Sequence, residues 1–520
     1  MPYLHAPGMW ELIARRAAAT PDACMLIEAD GRRWTFAGFA ARAESVAGAL
    51  HERGVGAGSV VTWQMPTSVD AMLVSAALAR LGACQNPVIH LYGKKELLAI
   101  LRQNRPSLFI VPARSERDYV ALAGSVLAEL PEPPAVLAFD AEAMVAGAAP
   151  PAAAAGDEVR WVYYTSGTSA DPKGVCHTDA SLIAAGLALR DALDIGPDDI
   201  GSFSFPYAHV GGSMYLIMLL SVGAAALVLP GFEPAAAAAL FTRYGVTTTG
   251  GSTAHYQALL AAQRRQPGQA LAPTLRLLSG GGAPKPPYLY HQVRAELGCT
   301  VAHSYGMTEA PMVAGGSPRH SHEQLAHSDG IATAGMDIRI VRPDGTLAAC
   351  GEAGEIRVKG PTVCRGYTDP ALTAAAFDAD GYFVTGDIGL LRPDGHLAVT
   401  GRLKDVIIRK GENVSAQELE QVLALHPKVG AVAVIGLPDA ERGERVCAVI
   451  ELADPAQTFG FDEMAACCEA AGLMRQKIPE QIEVVERLPR NETFNKILKF
   501  KLRELFAHTT IQAGESHGQR

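Results

Sequence analysis

The chain has 520 residues, 48% hydrophobic and 19% charged, proportions of a globular protein with room for more than one domain. A net charge of -9 at pH 7 argues against the broad basic surface of a generic nucleic-acid binder, though it leaves space for a local phosphate site. Nine scattered cysteines include no CxxC pair and no histidine at metal-ligand spacing, so no zinc-type centre is expected.

In chain order, Trp10 to Ala18 and Phe36 to Leu50 carry apolar residues at helical spacing. Ser59 to Trp63 reads as a strand, Val69 to Leu81 as a helix, Lys94 to Gln103 as another, and Leu108 to Val111 as a strand. Such alternation predicts an α/β fold, with a mostly parallel sheet covered by helices on both faces. Residues 145 to 156, rich in alanine, glycine and proline, read as a surface connector. Val159 to Tyr164 follows as an apolar strand. The most apolar stretch, Met214 to Leu229, is too short for a bilayer and predicts a buried helix ending near Gly223, then a buried strand. From about 335 to 400, short strands alternate with turn signals such as Pro343-Asp344-Gly345 and Pro393-Asp394-Gly395. Beyond Gly401 a smaller α+β unit begins, with a helix Ala416 to Leu425, strands Val429 to Gly436 and Arg445 to Glu451, and a helix from Asp462 that carries Cys467 and Cys468 as apolar filler. The start of the chain shows no basic stretch followed by an apolar run, so a cytoplasmic location is expected.

The strongest chemical motif is YYTSGTSADPKGV, Tyr163 to Val175. A strand runs into small hydroxyl residues and glycine, whose N–H and O–H groups suit phosphate oxygens, with Lys173 adding a mobile positive charge. It lacks the GxxxxGK[ST] spacing of the usual nucleotide loop, and alone it fits an ordinary turn equally well. YGMTE, Tyr305 to Glu309, sets a carboxylate beside a hydroxyl and an aromatic ring, a set suited to magnesium and a stacked base. SGGGAP, Ser279 to Pro284, is a glycine run after a strand, where a flat ring can lie against backbone or the chain can simply turn. YFVTGD ending at Asp387, followed by Arg402, Lys404 and Asp405, offers a carboxylate for ribose hydroxyls and an arginine for phosphate. Lys496 stands near the end, in LPRNETFNKILK.

In this order and at this spacing, the motifs resemble the adenylate-forming superfamily of acyl- and aryl-CoA ligases, adenylation domains and firefly-type luciferases, over almost the whole chain. The resemblance implies a large N-terminal domain, residues 1–402, of helix-covered, mostly parallel sheets plus a small β-barrel-like part. A small, mobile α+β C-terminal domain, residues 403–520, follows. It implies that Thr165, Ser166, Gly167, Thr168 and Lys173 hold the β- and γ-phosphates of ATP. Glu309, with Thr165, would hold Mg2+, Thr308 would lie near the α-phosphate, and Gly306 and Met307 would belong to the nucleotide-binding set. Tyr305, Gly281, Gly282, Ala283 and Pro284 would flank adenine, Asp387 would take the ribose, and Arg402 ribose or phosphate. Lys496 would be the adenylation lysine and Lys404 the hinge, with Lys410 and Gly411 in the loop that presents the coenzyme A face. His209, His303, Gly250 and Gly251 would border the acyl pocket, and glycines 211, 212, 250 and 251 would spare volume for a bulky acyl group. His177 receives no role.

The implied activity joins a carboxylic acid to coenzyme A through an acyl-AMP intermediate, and the N-terminal text is most similar to ligases for medium-chain, alicyclic or otherwise bulky acids. Two positions depart from the family pattern. Ala170, followed by Asp171, replaces a common glycine in the phosphate loop, and Asn495 stands where glycine usually precedes the lysine. Asparagine visits positive φ less freely than glycine, and a misplacement of ~1 Å can cost ~100-fold in rate. A thioesterification-only enzyme that accepts a preformed acyl-adenylate therefore stays open beside the complete ligase, as do a carrier-protein-loading enzyme and a luciferase-like oxygenase, whereas the hydroxyl loop, Glu309, Asp387, Arg402 and Lys496 argue against a non-catalytic acyl-adenylate binder. The expected partners are the acid or its adenylate and coenzyme A, with no nucleic acid and no membrane span. A homodimer is compatible with the sequence, which does not fix the oligomeric state.

Overall fold

The computed structural model describes residues 3–145, 152–153, 156–165, 172–410, 412–439, 441–490 and 497–507. The expected connector at 145 to 156 lies largely outside them. The chain forms two compact units. One comprises residues 1–339, 357–385 and 392–398, and the other 340–356, 386–391 and 399–520.

The first unit holds a seven-stranded sheet in the order Gly366–Tyr367, Lys173–His177, Trp161–Thr165, Cys84–Val88, Val60–Gln64, Leu108–Pro112, Ala135–Phe139. The last five run parallel, as the alternating pattern predicts, and the first two are antiparallel to their neighbours. Its central strands are buried almost throughout, the mark of a parallel sheet covered on both faces. The helix Val69–Leu81 has the bounds expected from its pattern. Ser68 caps its start by accepting from Ala71 N–H, and Gly82 ends it at φ 69°, where a residue without Cβ bears no strain. A second sheet runs Thr248–Gly251, Leu277–Gly280, Thr300–Met307, Ala310–Gly315, Ile331–Ala332. Its first three strands are parallel and the rest antiparallel. A third contains Arg33–Thr35, Cys24–Glu28, Ala225–Val228 and Ile200–Phe203.

The apolar stretch from Met214 resolves into the helix Val210–Val222, which ends at Gly223, and the strand Ala225–Val228. Among the described residues no helix is long and apolar enough to cross a membrane. The helix carries almost no polar face and is buried along nearly its whole length, so its last carbonyls need protein donors. Arg16, fully buried on the helix Met9–Ala19, supplies them. Its Nε donates to Leu220 O at 2.7 Å and its Nη2 to Ser221 O at 2.9 Å. A guanidinium at a helix C-terminus also meets the negative end of the helix dipole.

Where a small β-barrel-like part is implied, strands Asp337–Val341, Gly354–Lys359, Phe383–Leu391 and Leu397–Arg402 form a four-stranded sheet in that order. The second unit contains the expected helix Ala416–Leu423 and the long antiparallel strands Val429–Asp439 and Gly443–Leu452. Gln481–Val485 pairs parallel to the latter, and a hairpin joins Val406–Arg409 to Glu412–Ser415. Leu419, Val434, Ala448, Ile450 and Met464 fill its core together with Cys468, and Cys467 packs beside them.

Replacing Arg16 removes charge-assisted bonds to buried carbonyls, worth about 1.5–3 kcal/mol each when both partners are desolvated. R16A is therefore expected to accelerate hydrogen exchange of the last amides of helix Val210–Val222 by at least ~10-fold. Unchanged protection there would show that the helix end is held by packing alone.

Candidate active site

The phosphate-type motif begins where the strand Trp161–Thr165 turns back into Lys173–His177. Antiparallel register sets Thr165 opposite Lys173 and Tyr164 opposite Gly174. Thr165 and Lys173 therefore stand at the two mouths of one loop, and both are half-buried. Ser166, Gly167 and Thr168, with Ala170 and Asp171, lie outside the described residues.

YGMTE forms the tip of a hairpin. Met307 pairs with Ala310, which leaves Thr308 and Glu309 as a two-residue turn. A Cβ on Gly306 would come within 2.3 Å of Pro311 O, so the approach of the two strands requires glycine there. His177, at the end of the other strand, reaches this tip. Its Nε2 donates to Thr308 O at 2.7 Å, which leaves Nδ1 to accept from Ser181 Oγ at 2.9 Å. Burial holds the ring neutral, with its pKa lowered to about 4. Sequence reading gave His177 no role because its partners lie far along the chain. Glu309 O accepts from Cys364 N–H at 2.8 Å. Glu309 Oε1 accepts from the Tyr367 hydroxyl at 2.8 Å, and Lys173 Nζ sits 5.6 Å from the centre of the Tyr367 ring. Tyr367, too, was missed; nothing in RGYTDP marks it as a site residue.

Gly281, Gly282, Ala283 and Pro284 follow the strand Leu277–Gly280. Gly281 passes so close to the neighbouring strand that a Cβ would stand 2.3 Å from Ser304 O. His303 secures this loop from below, its Nε2 donating to Ala283 O at 3.1 Å. Burial, and then the charge of Lys285, lower the His303 pKa to about 3. Lys285 is itself buried and donates to Ala326 O at 2.7 Å, and its pKa is lowered to about 8 by burial. Tyr305 is buried in the strand beside the loop.

His209 caps the helix Val210–Val222, its Nδ1 accepting from Gly211 N–H at 3.1 Å. It also lines a cavity of about 10 Å³, room for roughly one water. Tyr92, Tyr163, Tyr164, Val88 and Thr308 share that wall, so the structure brings the expected acyl-pocket histidine and the expected α-phosphate threonine to one space. Burial lowers the His209 pKa to about 4. The glycines expected to spare volume have protein beside them instead. A Cβ on Gly212 would meet Tyr207 O at 2.1 Å, on Gly251 the His255 ring at 2.5 Å, and on Gly250 the Phe205 ring at 3.3 Å. On Gly211 it would meet His209 Nδ1 at 3.2 Å.

In the second unit, Asp387 is buried and Arg402 Nε lies 2.9 Å from its Oδ1. Lys404 is the middle residue of the short 3-10 turn Leu403–Asp405, and its carbonyl accepts from Arg503 at 3.4 Å. Arg503 also bonds Asp405 at 2.8 Å. Lys410 turns the hairpin between Arg409 and Glu412 at φ 50°, and its ammonium pairs with Glu441 at 2.9 Å. Gly411 and Lys496, and Asn495 before it, lie outside the described residues.

The oxygen donors at the hairpin tip fit a hard divalent cation. Glu309 Oε2 makes no hydrogen bond with a described residue, and Thr308 stands next to it. Among the described residues no group of three histidine, cysteine or carboxylate side chains could enclose a metal. A cation held by Glu309, with Thr165, would take its remaining ligands from phosphate and water, which is the usual manner of Mg2+.

Residues 13–368 match the family model described as AMP-binding enzyme, and residues 418–495 match AMP-binding enzyme C-terminal domain. The medium-chain fatty-acid–CoA ligase of Escherichia coli (strain K12) is 29% identical over 511 residues, covering 95% of this chain and 89% of that protein. Feruloyl-CoA synthase of an Amycolatopsis species is 32% identical over 502 residues, covering 96% and 99%. The crystal structure of ATP-bound MatB from Rhodopseudomonas palustris superposes with a TM-score of 0.86 at 29% identity, covering 96% of this chain and 99% of that one.

His177 carries a testable consequence. Its pKa in the fold, about 4, lies below the ordinary 6.5, so the unfolded chain binds the proton more readily. The stability it contributes is complete above pH 6.5 and is lost as the pH falls towards 4. H177Q, which keeps a donor but cannot take a proton, is expected to flatten the acid limb of the stability–pH profile. An unaltered acid limb would place the acid sensitivity elsewhere.

Proposed function

Because this chain belongs to the AMP-binding enzyme family, we propose that it activates a hydrophobic carboxylic acid as its acyl-adenylate and passes the acyl group to coenzyme A within one polypeptide. It is an acyl- or aryl-CoA ligase of the adenylate-forming superfamily that uses ATP and coenzyme A. The meeting of His209 and Thr308 on one cavity wall, beside the Glu309 turn, carries this reading. It sets the residue assigned to the acyl side and the one assigned to the α-phosphate side by side.

A carboxylate is a poor acyl donor because its leaving group would be oxide. One carboxylate oxygen attacks the α-phosphorus of ATP and pyrophosphate departs, which gives a mixed anhydride. The coenzyme A thiol, giving up its proton, then attacks the acyl carbon and AMP departs. Negative charge accumulates on phosphate oxygens in the first step, and fixed donors and cations lower its energy. In the proposed assignment Thr165, Ser166, Gly167, Thr168 and Lys173 surround the terminal phosphates, and Thr308, with Gly306 and Met307, faces the α-phosphate. Tyr305 and Gly281 to Pro284 flank adenine, Asp387 and Arg402 take ribose and phosphate, and Lys496 serves adenylation. Glu309, with Thr165, would hold Mg2+, whose charge would offset that of the phosphates. His209 and His303, with Gly250 and Gly251, border the acyl side. Residues 403–520 would reorient about Lys404 between the half-reactions and bring Lys410 and Gly411 to coenzyme A.

For the acid, the resemblance of the N-terminal segment favours medium-chain, alicyclic or otherwise bulky groups. The relatives named above act, by their names, on fatty and feruloyl groups. Asn495 sustains a second reading, in which adenylation is slow and a preformed adenylate is the better substrate.

With ATP, magnesium, coenzyme A and a panel of such acids, pyrophosphate and acyl-CoA are expected to form together. K496A should lose pyrophosphate release by at least ~100-fold, yet still convert synthetic acyl-adenylate to acyl-CoA. Wild type that accepts only the adenylates, with N495G restoring pyrophosphate release from the free acids, would establish the second reading. If N495G leaves pyrophosphate release unchanged, Asn495 is an accommodated variation. Transfer to a phosphopantetheine carrier protein but not to coenzyme A would overturn both.

A further inference from the structure

Lys173 and Glu309 carry opposite charges in one small site, and among the described residues neither makes an ion pair. If they met, they would neutralise each other, and both would then have to be separated before phosphate and a cation could bind. Tyr367 touches each of them. Its ring takes the Lys173 ammonium at 5.6 Å, and its hydroxyl donates to Glu309 Oε1 at 2.8 Å.

The tyrosine is held in place by its own backbone. Gly366–Tyr367 adds a two-residue edge strand to Lys173–His177, with Tyr367 opposite Val175. Tyr367 N–H donates to Thr373 Oγ1 at 2.8 Å, and Thr368 N–H donates to Gly174 O at 2.8 Å. On the other side Cys364 N–H donates to Glu309 O at 2.8 Å, so the same short segment bonds to the lysine strand and to the carboxylate turn. Gly174 is part of the fit, since a Cβ there would stand 3.0 Å from Tyr164 and 2.8 Å from Thr368.

We propose that Tyr367 is a positioning residue for the nucleotide-bound divalent cation: its hydroxyl fixes the Glu309 carboxylate with Oε2 turned to the cation, and its ring keeps Lys173 apart for phosphate. The inference rests on the site assignment of the proposed function. A hydrogen bond to a ligating carboxylate orients it, and removing such a partner typically costs about 10–100-fold in metal affinity. The ring's hold on the lysine is electrostatic and survives in phenylalanine.

The test uses Mn2+ as probe with α,β-methylene-ATP on the full chain, free Mn2+ being read by electron paramagnetic resonance. Affinity for a fluorescent ATP analogue without metal is measured alongside. Y367F is expected to weaken Mn2+ binding in the ternary complex by ~10-fold or more and to leave metal-free nucleotide affinity within ~2-fold, since Lys173 keeps its ring. Y367L is expected to weaken both, and Y367H, an aromatic ring with a donor, to recover part of the Mn2+ affinity. Circular-dichroism melts check folding. If Y367F does not fold, Y367M, which also lacks the donor, must show the same loss of Mn2+ affinity. A donor-less variant that folds and binds Mn2+ like wild type overturns the proposal. Wild type that binds neither the analogue nor Mn2+ beyond what the nucleotide alone binds would instead remove the site assignment beneath it.

Discussion

The short strand Lys173–His177 is the constraint on which the site depends. Five parallel strands lead up to it, and it reverses direction, so one of its edges pairs with Trp161–Thr165 and the other with Gly366–Tyr367. Its first residue is the lysine at the mouth of the phosphate-type loop. Its last is the buried histidine that holds Thr308 O. A strand fixed on both edges has little freedom to drift. The mouth of the phosphate-type loop, the Thr308–Glu309 turn and the edge strand Gly366–Tyr367, drawn from separate stretches of the chain, therefore keep a common register. Preorganisation of this kind matters more than any single contact, because misplacement at a phosphoryl-transfer centre is costly in rate.

The electrostatics follow the same frame. The buried His177 and His303 and the half-buried His209 all have pKa values pushed well below the ordinary range, chiefly by desolvation. Each is a neutral ring with fixed donor and acceptor atoms, used to brace backbone: Thr308 O, Gly211 N–H and Ala283 O respectively. The charges are left to Lys173 and Glu309, neither of which is paired off among the described residues. Neutral struts around a pair of open charges suit a site that must receive a polyanion together with its cation.

Much of this was legible in the sequence wherever the signal was local. The helix Val69–Leu81 announced itself through its apolar pattern, and the helix ending at Gly223 through that glycine and the strand after it. The phosphate-type and YGMTE motifs stood out because unusual residue types crowd into a few positions, whereas the contact of Asp387 with Arg402 emerges only in the fold. Tyr367 and His177 did not stand out, since each is ordinary in its own stretch and gains meaning only from partners 58 and 131 residues away. Glycine in sequence signals that something comes close, but not what; beside glycines 211, 212, 250 and 251 the structure places His209, Tyr207, Phe205 and His255.

Two half-reactions on one chain require a bond between the acid and the α-phosphorus, and that bond leaves an isotopic record. A carboxylic acid labelled with 18O in both oxygens, turned over with ATP and coenzyme A, tests this most directly. The account predicts AMP carrying one labelled oxygen for each acyl-CoA formed, with no label in pyrophosphate. Unlabelled AMP, or label in inorganic phosphate alongside ADP, would contradict it.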